Sequence, residues 1–196
     1  SNGMRKFLRE LKPNNFEDIV AAIALFRPGP AANIDTYIKR KEGKEKVAYL
    51  DNSLEPILKK TYGIMIYQEQ VMQTVSYYAG YSLGEADILR RAISKKKKDV
   101  LIEEEERFLR KAKALGKDEN ISKELFAQIL KFAGYGFNRS HAVAYSMVAY
   151  KMAYLKVHYP LYFYTNLLSN VIGVESKLNE YVREVRSVKI KIVKPD

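Results

Sequence analysis

Apolar residues recur at helical spacing along most of this chain. Between residues 16 and 26, Ile19, Ile23 and Phe26 fall every three or four positions, as they do on one face of a helix. The stretch 68–79 repeats this spacing through Val71, Met72, Val75 and Tyr78. The pattern predicts helices over residues 4–11, 16–26, 33–41, 53–62, 68–79, 83–96, 99–115, 122–132, 140–158, 160–171 and 177–186. The predicted fold class is all-α, mainly helical with short loops, with room for a minor pair of strands.

Glycine, proline and capping residues divide the predicted helices. Residues 27–30, Arg-Pro-Gly-Pro, end the second helix because two prolines flanking a glycine cannot continue it. Ser82 and Glu85 have the spacing of a capping box, so a helix is predicted to begin at Leu83. Residues 63–67 form a short apolar stretch compatible with extended backbone. Residues 189–193 alternate apolar and charged side chains, which is typical of a strand.

The composition excludes several classes of protein and site. The chain has 196 residues, of which 47% are hydrophobic, which indicates a globular protein with a core. Cysteine is absent and the only histidines are His141 and His158, so disulfides, thiolate metal sites and histidine-rich zinc sites are excluded. No apolar run approaches the ~20 residues of a membrane span, and no signal-peptide core is visible at the N-terminus. We therefore expect a cytoplasmic protein.

The charge balance points to a polyanionic partner. Lysine and arginine number 34 against 23 aspartates and glutamates, a formal net charge of +11. A surplus of this size favours binding to nucleic acid, to a nucleotide or to an anionic membrane face. An ordinary surface that is rich in lysine is the alternative interpretation.

The first candidate binding segment is residues 84–98. Leu83, Ala86, Leu89 and Ile93 are predicted to form its buried stripe. Arg91, Lys95 and Lys98 follow at i, i+4 and i+7 on one face, with Arg90 and Lys97 on a neighbouring face. Such a row of cations suits a triphosphate or a strand of phosphates. The alternative is an exposed helix end, where cations also interact favourably with the helix dipole.

The second candidate binding segment is residues 132–145. Gly134 and Gly136 flank Tyr135 and allow tight turns. Asn138 or Ser140 is predicted to cap the following helix, and Arg139 beside that positive helix end favours a bound anion. His141 and Tyr145 are four residues apart and share a helix face. The alternative is that these two side chains belong to the core.

The familiar catalytic motifs are missing from the sequence. It contains no G-x-x-x-x-G-K-[ST] loop, no G-x-S-x-G motif and no H-E-x-x-H motif. It also lacks an Asp-x-Asp pair of the kind that would hold two metal ions for phosphoryl transfer. Basic features suited to nucleotides thus occur here without a metal centre.

Five groups of residues, in the same order, resemble the C-family replicative polymerases, which are alpha subunits of bacterial DNA polymerase III, and more the DnaE type than the PolC type. The matching strings are Ala24-Leu25-Phe26-Arg27-Pro28-Gly29-Pro30; Leu54-Glu55-Pro56-Ile57-Leu58 with Thr61-Tyr62-Gly63-Ile64; Tyr67-Gln68-Glu69-Gln70-Val71-Met72; Ser82-Leu83-Gly84-Glu85-Ala86-Asp87 with Leu89-Arg90-Arg91-Ala92; and residues 132–145 with Tyr154-Leu155-Lys156 and His158-Tyr159-Pro160.

This resemblance implies the fingers domain of a DNA-directed DNA polymerase, a nucleotidyltransferase of DNA replication. It implies that the incoming dNTP and the nascent base pair are bound by Arg90, Arg91, Lys95, Lys97, Lys98, Tyr135, Arg139, Ser140, His141 and Tyr145. Catalytic Mg²⁺ is expected on palm aspartates outside this chain, so the chain alone is expected to bind no cofactor and to be inactive. Ser94 stands where many relatives have glycine, which predicts that its helix continues into the lysines.

The resemblance also implies a domain division and a set of partners. It assigns residues 4–30 to the end of a palm domain leading into the fingers, 31–172 to the helical fingers domain, and 173–196 to the start of a truncated linker or further domain. Residues 1–3, Ser-Asn-Gly, are interpreted from their own sequence as a remnant of tag cleavage. The expected partners are primer–template DNA, dNTP and, through other regions, further replisome subunits, with no membrane. The alternative function is a non-enzymatic, basic helical DNA-binding module. A helix protein of anionic membrane surfaces is disfavoured, since Lys95–Lys98 has no bulky aromatic insertion face beside it.

Overall fold

The computed structural model describes residues 2–95 and 98–193. Within these ranges the chain consists of α-helices joined by short turns, and the predicted all-α fold class is confirmed. The chain divides into two compact units, Ser1–Ser146 and Met147–Asp196. The predicted domain boundaries at residues 30 and 172 stay predictions.

The helices follow one another closely in the sequence. The α-helices of the described residues are α1 (Asn2–Leu11), α2 (Phe16–Leu25), α3 (Ile34–Lys41), α4 (Glu55–Leu58), α5 (Gln68–Ala79), α6 (Leu83–Ser94), α7 (Lys98–Ala114), α8 (Glu119–Ala133), α9 (Arg139–His158), α10 (Pro160–Ser169) and α11 (Glu175–Ser187). Short 3-10 turns, Pro30–Asn33, Asn52–Leu54 and Lys59–Thr61, lie between some of them.

The larger core of the first unit forms where α5, α6, α7 and α8 pack together. Phe108 of α7 lies at its centre, fully buried. Its ring stacks with that of Tyr78 at a centroid distance of 5.9 Å and contacts Phe126 at 5.3 Å. Burial of such large rings contributes most of the stabilisation that a small helical core can gain.

The smaller core of the first unit joins α1, α2 and α3 to residues 64–67. Tyr37 is completely buried in this core, and its ring meets Tyr62 edge-on at 5.0 Å. A buried ion pair between Asp18 and Lys41, with 3.0 Å between Oδ2 and Nζ, lies at the same place. The ammonium group also donates to the carbonyl oxygens of Leu11 and Lys12, so the buried charges have hydrogen-bond partners.

The second unit contains the end of α9 together with α10 and α11. Tyr164 and Val185 are its buried hydrophobic residues among those described. The Tyr164 hydroxyl donates to Glu184 Oε1 at 3.2 Å, and Lys156 forms an ion pair with the same carboxylate. This ion pair raises the pKa of the Lys156 ammonium, chiefly through its hydrogen bond to Glu184.

Several details of the sequence-based prediction are wrong. Residues 190–193 have irregular backbone, so the predicted strand at 189–193 does not form. The extended backbone that the sequence allows over residues 63–67 is present at Tyr67, which forms an isolated parallel bridge with Phe137. The helix predicted over 53–62 is divided into α4 and two 3-10 turns. Leu83 is 72% exposed, so the buried stripe of α6 consists of Ala86, Leu89 and Ile93 without it.

Candidate nucleotide-binding site

The beginning of α5 contacts both segments that the sequence singles out. The backbone N–H of Gln68 donates to Phe137 O at 3.0 Å, and the N–H of Phe137 donates to Ile66 O at 3.2 Å. A β-carbon on Gly136 would lie 3.0 Å from Gln68 Cγ, so only a small residue allows this approach without displacement. Residues 134–137 are therefore held against the chain that enters α5.

Gln68 also connects the beginning of α5 to α6. Its side-chain oxygen accepts from Arg90 Nη1 at 3.4 Å. Arg90 further donates from Nε and Nη2 to Asp87 Oδ1, at 3.0 and 2.8 Å. The Arg90 side chain is consequently partly buried, with 22% of its surface exposed. It lies beside Gln68, the same residue that binds the turn at 134–137.

Arg91 presents its guanidinium to solvent. Its side chain is 67% exposed, and its Nε lies 2.8 Å from Asp87 Oδ2. Hydrogen bonding to Arg90, together with the charges of both arginines, lowers the pKa of the Asp87 carboxyl below its usual value. An exposed ion pair of this kind is weak, so a stronger anion can displace it.

Helix α6 ends earlier than the sequence predicts. Its last residue is Ser94, and Lys95 follows with φ −85° and ψ −3°. Because Lys98 is the first residue of the separate helix α7, the expectation that one helix continues from Ser94 into the lysines is wrong. The side chain of Lys98 is outside the described residues, so the common face of Arg91, Lys95 and Lys98 stays a prediction. Lys95 is exposed. Lys97 lies outside the described residues.

The N-terminus of α9 already has an acidic partner. Both carboxylate oxygens of Glu69 accept from the backbone N–H of Arg139 at 3.0 Å. The Arg139 guanidinium donates from Nη2 to Glu17 Oε1 at 2.6 Å. The anion that the sequence predicts beside Arg139 is thus supplied, in this structure, by two glutamates of the protein.

Asn138, rather than Ser140, caps α9. Its Oδ1 accepts from the N–H of His141 at 2.8 Å, which satisfies one of the free donors of the first turn. Ser140 is exposed at this helix end. Of the two capping residues that the sequence allows, the structure selects Asn138.

His141 and Tyr145 form an exposed aromatic pair on α9. Their ring centroids are 4.5 Å apart, as expected for side chains one helical turn apart on a shared face. Tyr145 is 60% exposed and His141 is exposed as well, so the interpretation of both as core residues is wrong. The rings of Phe137 and His141 also meet edge-on, with 5.5 Å between their centroids.

Tyr135 lies in the turn between α8 and α9, and its ring packs over Gly29, which follows α2. A β-carbon on Gly29 would come within 2.7 Å of the Tyr135 ring. Arg27 Nη2 donates to Tyr135 O at 2.8 Å, and the Arg27 guanidinium lies 4.4 Å from the centre of the Phe137 ring. Tyr135 also lines a cavity of about 420 Å³, together with Arg40 and Lys131.

The structure thus brings the two predicted segments to one place through Gln68 and Glu69, which are consecutive in α5. Gln68 contacts Arg90, and Glu69 contacts Arg139. The sequence reasoning missed Gln68 and Glu69, along with Glu17 and Arg27, as residues that hold the site. Arg27, Gln68 and Glu69 do belong to the family-like strings at residues 24–30 and 67–72. Their contacts could not be read from those strings, because the partners lie far away in the sequence.

Residues 2–95 and 98–193, which the structure describes, contain no group of three or more histidine, aspartate or glutamate residues placed to hold a metal ion. No helix in the same part of the chain is both long enough and apolar enough to span a bilayer.

Comparison with known proteins gives a consistent family. Residues 1–116 match the sequence profile of the bacterial DNA polymerase III alpha subunit finger domain. The whole chain is 56% identical, over 196 residues, to a DNA polymerase III subunit alpha of Staphylococcus aureus. It is equally similar, at 56% over 196 residues, to the subunit of that name from Staphylococcus epidermidis. The chain spans 18% of the length of these relatives.

Proposed function

The chain belongs to the bacterial DNA polymerase III alpha subunit finger family, and on that premise we propose that it binds the incoming dNTP and the nascent base pair during DNA synthesis. The family membership confirms the resemblance seen in the sequence. We propose further that the whole protein is a DNA-directed DNA polymerase and that this segment contributes to its nucleotide-binding site.

The observation that carries the proposal is the junction at the first turn of α5. Gln68 and Glu69 adjoin each other, and they contact Arg90 and Arg139 from the two predicted segments. Because of this junction, Arg90 of α6 and the start of α9 both contact the same turn of α5. A nucleotide needs both kinds of group, cations for phosphates and flat rings for the base and sugar.

Arg91 is the side chain best suited to the triphosphate. A dNTP carries about four negative charges, and charge develops further on its phosphoryl oxygens as the new bond forms. A guanidinium can donate two parallel hydrogen bonds to such oxygens. Since Arg91 is exposed and its present partner, Asp87, holds it only by a surface ion pair, it is free to change partners.

Arg90 is also proposed to bind the triphosphate, but its guanidinium is held in a more fixed direction than that of Arg91. Its bonds to Asp87 and Gln68 fix the direction of the guanidinium, which reduces the entropy lost when phosphate binds. Lys95, Lys97 and Lys98 are proposed to add positive charge close to the phosphates. A lysine ammonium is a compact point charge that can meet a phosphate oxygen from several directions.

The residues at the start of α9 are proposed to border the base pair and the sugar. His141 and Tyr145 offer an exposed pair of rings, and Tyr135 presents a third, half-exposed ring in the preceding turn. Aromatic faces stack on bases regardless of sequence, as a replicative enzyme requires. Ser140 and Arg139 supply the polar groups of the same surface in this proposal.

The metal ions of the reaction are proposed to be Mg²⁺ bound by carboxylates elsewhere in the polymerase. Bound there, they would neutralise charge on the triphosphate and activate the attacking oxygen. The arginines of this chain would act on the other phosphate oxygens. On this proposal the segment cannot polymerise DNA by itself. Its proposed partners are dNTP, primer–template DNA and, through other regions, replisome subunits in the cytoplasm.

The test is Arg91→Ala in the full-length polymerase, with single-nucleotide incorporation and primer–template affinity measured separately. Loss of one preorganised donor is expected to lower kcat/KM for the dNTP by roughly 30-fold to 1000-fold, with little change in DNA affinity. Arg110→Ala is the matched control, since Arg110 is an exposed arginine of α7. Unchanged incorporation in Arg91→Ala would refute the proposed role.

The same measurement separates the alternative of a non-enzymatic DNA-binding module. If Arg91 contacts only DNA backbone, incorporation and primer–template affinity should fall together. A plot of the logarithm of DNA affinity against the logarithm of salt concentration should then also become less steep, by about one unit of slope, because one phosphate contact has been removed.

A further inference from the structure

The side chain of Glu69, on α5, binds the N-terminus of α9. Its two carboxylate oxygens accept from the N–H of Arg139 at 3.0 Å each, and Oε1 also accepts from Asn138 Nδ2 at 3.1 Å. Free N–H groups and the helix dipole make this end of α9 positive, so a carboxylate there is stabilised. The contact joins residues 70 positions apart.

Arg139 is held at both ends by acidic residues. Its main chain is bonded to Glu69 of α5, and its side chain is bonded to Glu17 of α2 at 2.6 Å. The guanidinium also lies 5.8 Å from the centre of the Tyr67 ring. The start of α9 is therefore fixed in position and rotation by charged contacts to two other helices. A charge-assisted hydrogen bond constrains geometry more strongly than a neutral one.

The rotation of α9 sets where its aromatic pair points. His141 and Tyr145 lie two and six residues after Arg139, on the same face, so a shift at Arg139 moves both rings. Gln68, the residue before Glu69, holds Arg90 at the same time. A single helical turn of α5 thus determines both the direction of Arg90 and the orientation of the rings.

We propose that Glu69 is a positioning residue that determines how accurately the polymerase distinguishes a correct from a mispaired nucleotide. Glu69 does not touch the nucleotide in this assignment. It holds α9 so that His141 and Tyr145 meet a base pair of correct width, while Gln68 holds Arg90 at the triphosphate. The inference rests on the proposed function, because it concerns the accuracy of that same site.

The experiment uses the full-length polymerase with Glu69→Gln. The amide keeps the size of the side chain but loses its charge and replaces one acceptor oxygen with an NH₂ group, which cannot accept from Arg139 N–H. We expect KM for the correct dNTP to rise more than kcat falls. We expect the ratio of kcat/KM for correct to mispaired dNTP to fall by roughly tenfold.

The ratio is chosen because a purely structural defect does not change it. If the variant merely unfolds in part, the active concentration falls equally for both nucleotides, and their ratio stays as in the wild type. Glu69→Asp restores the charge with a shorter reach and is expected to recover part of the discrimination. Glu124→Gln, at an exposed glutamate of α8, is the matched control and is expected to leave the ratio unchanged.

The outcomes separate this inference from the proposed function. If Arg91→Ala lowers incorporation but Glu69→Gln leaves the discrimination ratio at the wild-type value, the role of Glu69 is refuted and the function stands. If Arg91→Ala has no effect on incorporation, the proposed function fails whatever Glu69→Gln does. A fall of the ratio in Glu69→Gln, with partial recovery in Glu69→Asp, supports the positioning role.

Discussion

The ring of Tyr135 rests on Gly29 so closely that a β-carbon at residue 29 would lie 2.7 Å from ring atom Cδ1. Gly29 has φ +92°, a backbone conformation that residues with a side chain rarely adopt. Beside it, Arg27 donates to the carbonyl oxygen of Tyr135. Residues 27–29, after α2, therefore hold Tyr135, before α9, in two ways: Gly29 leaves space for its ring and Arg27 donates to its carbonyl oxygen.

We predict that Gly29→Ala displaces Tyr135 as well as straining the backbone. The strain at positive φ is expected to cost roughly 1–3 kcal/mol, and the half-exposed Tyr135 ring must shift in addition. In the full-length polymerase, we expect kcat/KM for dNTP to fall, and urea unfolding of the 196-residue chain should show lower stability. Gly43→Ala is the control, because Gly43 also has positive φ but an added β-carbon there would meet no atom within 4 Å.

A second variant isolates the steric part of this effect. In Gly29→Ala combined with Tyr135→Ala, the ring that clashes is gone and only the backbone strain remains. The combined loss of stability should therefore be smaller than the sum of the two single losses. Strict additivity would show that the ring and residue 29 do not press on each other.

We predict that Phe108→Ala strongly destabilises the first unit. Phe108 is completely buried between Tyr78 and Phe126, so its removal leaves a cavity that rigid rings cannot fill. The expected loss is about 3–5 kcal/mol in the free energy of unfolding, measured by urea denaturation. Ile102→Ala, at a 61% exposed position of the same helix, should change stability by no more than about 0.5 kcal/mol.

The helices of this fold were predictable because their signals are local. Apolar spacing places α5 over Gln68–Ala79, as predicted, and the box formed by Ser82 and Glu85 begins α6 at Leu83. The same periodicity misplaced Leu83 itself. At the first position of its helix, Leu83 extends beyond the core that covers Ala86, so its spacing alone does not bury it.

The lysine run shows why helical spacing cannot be extended through every sequence. The prediction carried one helix from Gly84 into the run, but the helix ends at Ser94 and a new one begins at Lys98. Like charges three or four residues apart on a helix destabilise it, so a run of lysines is a poor continuation of α6.

The contacts that assemble the site could not be predicted from local pattern. Glu69 meets Arg139 and Arg27 meets Tyr135 across 70 and 108 positions of sequence. Sequence reasoning recognised that an anion belongs beside Arg139, but a glutamate on another helix satisfies the same physical need as a phosphate. Only the packing of α2 and α5 against α9 decides between them in this structure.

We predict a pH-dependent contribution from Glu85. The backbone N–H of Ser82 donates to its carboxylate, and Lys111 and Arg107 lie nearby, so the pKa of Glu85 is lowered in the folded chain. A lowered folded-state pKa stabilises the fold above the unfolded value of about 4.3, and this stabilisation is lost as pH falls through the folded value. The difference in unfolding free energy between wild type and Glu85→Gln should therefore be larger at pH 7 than at pH 3.

Glu103→Gln provides the comparison for that measurement, since Glu103 is an exposed residue of α7. Its difference from wild type is expected to stay within about 0.5 kcal/mol at both pH values. If the Glu85→Gln difference instead grew as the pH fell, the carboxylate would not be the stabilising form.

We predict that Arg90→Ala and Arg91→Ala differ in stability although both lower dNTP incorporation. Arg90 is partly buried and donates to Asp87 and Gln68, so its removal takes a donor from Gln68 and one of two arginine partners from Asp87, and should lower stability in urea unfolding more than removal of Arg91 does. Arg91 is largely exposed, and its removal should cost no more than about 1 kcal/mol. The measurement is urea unfolding of the 196-residue chain, paired with incorporation by the full-length polymerase. Equal losses of stability would mean that Arg90 does not link α6 to the start of α5.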